Sequence, residues 1–128
     1  MPTVNAAAIA FVVLTFVAVA FQGALVLGAP WGEFTLGGHY RGALPGRMRI
    51  VPAVSLALLV AFAVVVLARA ALAFEGWAAP ARTLIWVVVG YSGLGVLANA
   101  VTPSRRERRL WLPVVGGMLV TSLTVALA

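Results

Sequence analysis

The chain has no cysteine and no lysine, and it has one histidine and three acidic residues in 128 positions. Without cysteine there can be no disulfide, thiolate metal site or thiol nucleophile. His39 and Glu33 are the right types for acid-base chemistry, but no nucleophile motif accompanies them. As a metal site the same pair lacks a third ligand. No catalytic residue, metal or cofactor is therefore assigned. Charge is scarce as well. Only 9% of residues are charged, against roughly 25% in soluble domains.

What is present is apolar. Hydrophobic residues make up 63% of the chain, and the mean hydropathy is +1.10. A bilayer core of ~30 Å is crossed by about 20 apolar helical residues. Four runs qualify, at about 4–27, 50–69, 83–102 and 105–128. They are continuous rather than alternating, which favours helices over the strands of a barrel. The first run resembles a signal peptide at Ala18-Val19-Ala20, but no basic residue precedes it, so it reads as a retained helix. The expected fold is all-α: a four-transmembrane-helix bundle forming one integral membrane domain, with a glycine-rich interfacial loop between helices one and two.

All nine basic residues are arginine. With the abundance of Ala, Val and Gly, this matches the codon usage of a GC-rich bacterium. Seven arginines lie in the connections 28–49 and 103–109, and two, Arg69 and Arg82, lie on the other side. The positive-inside rule then puts both connections in the cytoplasm and both termini outside an inner membrane. Arg105, Arg106, Arg108 and Arg109 are expected to meet the headgroups of membrane lipids, with anionic lipids favoured. Nucleic acid is not an expected partner, because the stacking aromatics of such a surface are missing.

Gly28 and Pro30 end the first helix, Gly76 and Pro80 separate the second from the third, and Pro103 ends the third. Ser104 and Glu107 have the spacing of a capping box at the start of the fourth. Inside the helices, polar and small residues form stripes. Asn5, Ala8, Thr15 and Gln22 lie on one face of helix one, and Ser92, Gly95, Asn99 and Thr102 on one face of helix three. Gly90 and Gly93 offer a second close-approach face, and Gly117, Thr121 and Thr124 mark helix four. Such stripes serve helix packing.

The stretch from Pro30 to Gly42, PWGEFTLGGHYRG, gathers the lone histidine, a glutamate, a tryptophan, a tyrosine and an arginine among four glycines. Trp31, Phe34 and Leu36 would lose burial in a solvated linker. The stretch is therefore expected to be an ordered lid over the cytoplasmic mouth of the bundle. Glu33 should pair with Arg41, Arg47 or Arg49. His39 and Tyr40 would be held near Gln22 and Asn99, and Glu33 and Arg41 would complete this candidate ligand site.

With WGEFTLGGHYRGALPGRMR and NAVTPSRRERRLWLPV in view, the layout resembles that of small, uncharacterised four-helix bacterial inner-membrane proteins. That resemblance implies no activity, cofactor or binding residue. The small multidrug resistance transporters also have four short helices, but they are expected to carry a membrane-embedded glutamate in helix one. Here helix one offers only Asn5, Thr15 and Gln22. The leading functional reading is a non-catalytic structural or accessory membrane subunit, packed against a second copy or another membrane protein. The alternatives are a small transporter or oligomeric channel, and a membrane enzyme or lipid-binding protein with its site at the cytoplasmic mouth.

Overall fold

In the computed structural model, which describes residues 2–128, the chain is an all-α bundle of four long helices. They are α1 (Pro2–Val26), α2 (Ile50–Arg69), α3 (Ala78–Val101) and α4 (Arg105–Ala126). Each is long and apolar enough to cross a membrane, as a multi-pass membrane protein requires. Short 3₁₀ turns occupy the connections at Gly32–Phe34, Leu36–Gly38, Gly46–Arg49 and Glu75–Trp77, and no strand occurs among the described residues. The short connections 70–77 and 102–104 make α2, α3 and α4 sequential antiparallel neighbours. α1 packs on α2, α2 on α3, α3 on α4, and α4 returns to α1.

Helix three starts at Ala78 rather than Thr83. Pro80 does not separate the helices, because it occupies the first turn of α3, where the missing N–H would have had no helical acceptor. The Ser104–Glu107 box forms only in half. Ser104 Oγ accepts the Glu107 N–H at 3.1 Å, as an N-cap should. The Glu107 side chain does not reach back, because the Ser104 N–H is already bonded to Thr102 Oγ1 at 3.3 Å.

The core holds Phe11, Leu25, Val66, Ile85, Val88 and Val125, all fully buried. Gly117 lets α1 and α4 approach: a Cβ there would lie 2.7 Å from Leu14 Cδ1. The stripe on α3 turns inward, with Ser92 and Thr102 buried and Gly95 against Val115. Gly90 differs from expectation, since open space surrounds it. On α4, three hydroxyls fold back onto their own helix: Thr121 donates to the Gly117 carbonyl, Ser122 to Leu119 and Thr124 to Val120. Thr15 and Ser92 are also buried, yet their hydroxyls have no partner among the described residues.

Candidate functional site

The glycine-rich connection is strapped to the start of α4. It closes on itself where the Gly32 N–H donates to the Gly42 carbonyl at 2.8 Å. That approach requires glycine, because a Cβ at position 32 would lie 2.2 Å from the Tyr40 carbonyl oxygen. Leu36 sits at φ +51°, a left-handed conformation that costs a leucine ~1–2 kcal/mol. Packing of Leu36 and Phe34 against the buried core offsets that strain. Trp31 stacks on Phe21 of α1 with ring centroids 6.1 Å apart.

Four bonds tie this strap to residues seventy or more positions away. Ser104 Oγ donates to the Glu33 carbonyl at 2.9 Å. Trp111 Nε1 donates to the Phe34 carbonyl at 2.8 Å. The Gly37 N–H donates to Glu107 Oε2 at 3.1 Å. Arg106 Nη1 pairs with Glu33 Oε1 at 2.5 Å. The partner of Glu33 is thus Arg106, and none of Arg41, Arg47 and Arg49. The reason lies in the packing: the first turn of α4 sits beside the strap, while Arg49 turns back to donate from Nε to the Leu44 carbonyl at 3.1 Å.

Beneath the strap is a cavity of about 720 Å³, within the ~300–1,000 Å³ of small-molecule sites. Its floor is apolar, formed by Leu59 and Met118. Its polar groups include Gln22 from α1, Ser55 from α2, Tyr91, Ser92 and Asn99 from α3, Thr102 just beyond α3, Glu107 from α4 and Thr35 from the strap. Asn99 Nδ2 donates to the Gly95 carbonyl at 2.7 Å, which leaves its second N–H and its carbonyl oxygen for an occupant. The Gln22 amide has no hydrogen bond among the described residues, and Ser92 Oγ is buried and unpartnered.

The opening is on the side. Of the lining residues, Val51 on α2 and Leu94, Ala98 and Val101 on α3 are exposed, with Leu94 at 68% and Val101 at 79%. These positions place the mouth between α2 and α3. Below it the two helices meet where Phe62 and Tyr91 pack edge to face at 4.9 Å. From Glu107 to Met118 the α4 wall rises about 16 Å at 1.5 Å per residue. That is about half of a ~30 Å hydrocarbon core.

A second cavity of about 300 Å³ lies on the other side of Gly37 and Pro103, which line both. Arg41, Arg105, Arg106, Glu33 and Ser104 form its polar wall. The candidate residues therefore divide. Gln22 and Asn99 line the large cavity, and Glu33, Arg41, Arg105 and Arg106 line the small one. Arg108 and Arg109 line neither. His39 and Tyr40 do not join Gln22 and Asn99: His39 is exposed, its ring against Tyr40 at 4.8 Å, and Tyr40 packs on the core.

Sequence reasoning missed Glu107 and Trp111 as parts of the site. Glu107 is one of three carboxylates and is only 9% exposed, but its cap spacing explained it too readily. Trp111 suited a membrane interface, and nothing local marked its indole N–H as a strap anchor. No protein-family model matches the chain, and neither a curated protein nor a solved structure matches it, so no relative lends the site a function.

Proposed function

We propose that the chain is a non-catalytic accessory protein of a bacterial inner membrane that holds one membrane lipid in the cavity beneath its strap. The observation that carries this reading is the lateral mouth between α2 and α3, which opens a leaflet-deep apolar cavity toward the acyl chains. A water-soluble ligand would favour a mouth facing water. The polar groups support the same occupant: Gln22 and Asn99 lie near the loop end, at the depth of a glycerol backbone, and Leu59 and Met118 lie where a chain would end.

Native mass spectrometry of the detergent-extracted protein tests this. One retained lipid per protomer is expected. Ala98→Trp, at the mouth, should remove it, whereas Ala100→Trp, outside the cavity lining, should keep it. A wild-type protein that retains no more lipid than a helical membrane control would end this reading.

The orientation belongs to the same proposal, supported by the seven-to-two arginine asymmetry. The chain has no cysteine of its own, so single introduced ones report cleanly. In intact cells, Pro2→Cys should react with an impermeant thiol reagent and Ala43→Cys should not. The opposite pattern would invert the topology.

A further inference from the structure

The small basic cavity has the chemistry of an anion receptor, and it adjoins the apolar one. Three guanidinium groups, Arg41, Arg105 and Arg106, face one carboxylate, Glu33. Arg106 is engaged by Glu33, while the side chains of Arg41 and Arg105 have no hydrogen-bonding or ionic partner among the described residues. The backbone N–H groups of Arg105 and Arg106 open α4. They too lack an acceptor among the described residues, and free N–H groups at a helix start favour an anion. Guanidinium groups bind phosphate oxygens in pairs of parallel hydrogen bonds.

We infer that this cavity is the headgroup site for the phosphate of an anionic glycerophospholipid whose acyl chain occupies the apolar cavity. The inference rests on the lipid-holding reading above. Gly37 and Pro103 form the shared wall, so a molecule bridging the two cavities would cross at the level of its ester groups. One phosphodiester carries a single negative charge and leaves the basic cavity with a positive excess. A zwitterionic headgroup would bring its ammonium group against the same arginines. Glu33 is an internal competitor, holding Arg106 in the absence of phosphate.

The test uses the full chain in detergent with an equimolar mixture of phosphatidylglycerol and phosphatidylcholine, read by native mass spectrometry. The wild type should retain phosphatidylglycerol preferentially. Arg41→Gln and Arg105→Gln should each lower that preference about fivefold, the worth of one arginine near a charged surface. Glu33→Gln should raise it, since Arg106 is then released to the phosphate. A purely structural Glu33 would instead lower lipid retention. Arg82→Gln, at the other end of the bundle, should change nothing.

Retained lipid without a preference for phosphatidylglycerol, or a preference unmoved by Arg41→Gln and Arg105→Gln, overturns the headgroup assignment and leaves the lipid-holding reading standing. Absence of any retained lipid overturns both. Inorganic phosphate, titrated onto the phosphatidylglycerol-loaded protein, separates the two sources of the anion. Phosphate that displaces all bound phosphatidylglycerol at equal concentration would overturn the lipid as the occupant.

Discussion

Gly32→Ala should detach the strap and lower stability by about 3 kcal/mol, the upper part of the ~1–3 kcal/mol range for overpacking a tight site. The new methyl would meet backbone on two sides, at 2.2 Å from the Tyr40 carbonyl oxygen and 2.7 Å from that of Gly42. Neither neighbour is a flexible side chain that can swing away. Relief requires the loop to open, which breaks the Gly32–Gly42 hydrogen bond and pulls Phe34 and Leu36 off the core. Gly46→Ala is the matched control, because nothing lies within 4 Å of its added methyl. It should change stability by less than ~0.5 kcal/mol. Thermal unfolding of the two variants in detergent measures the difference. Equal midpoints would mean that the loop does not close at Gly32.

Trp111 carries the second large effect. Its ring packs edge to face on Phe21 at 4.7 Å, its indole N–H holds the Phe34 carbonyl, and it also lines the large cavity. Trp111→Phe keeps most of the ring and strands a half-buried carbonyl, at a cost of ~1–3 kcal/mol. Trp111→Ala also leaves a void. In water-soluble cores an aromatic-to-alanine change costs ~3–5 kcal/mol. Here the cost should lie near 3 kcal/mol, since lipid replaces water as the alternative environment for part of the ring, while the packing lost to the void remains. The expected order of unfolding midpoints is wild type, Trp111→Phe, Trp111→Ala. If Trp111→Phe matched the wild type, the indole bond would not anchor the strap.

Both predictions concern contacts between segments far apart in the chain, and that separation explains what was legible. The apolar runs marked four helices because a membrane span needs a fixed length of apolar residues, a local property. Spacing alone put Ser92, Gly95, Asn99 and Thr102 on one face of α3, and that face lines the cavity. The proline at position 80 misled because its effect depends on its place in the helix, and the start of α3 was not marked by any other residue. The Ser104 cap was legible, being a contact across three residues.

Glu33 pairs with Arg106 rather than with a nearer arginine, and Glu107 bonds to the strap rather than to its own cap. Nothing in either local sequence indicates these partners. By itself, the sequence determined the all-α class, the four spans, and the concentration of polar groups near the loop connections, because length, hydropathy and helical period are properties of single segments. Only the tertiary structure decided that the strap lies against the first turn of α4, that His39 faces outward, and that α2 and α3 part to open a side mouth. Those outcomes depend on which side chains fill the space between helices. In a bundle whose outward and inward faces are almost equally apolar, hydrophobic pattern does not distinguish the two faces, and steric fit at positions such as Gly32 and Gly117 does.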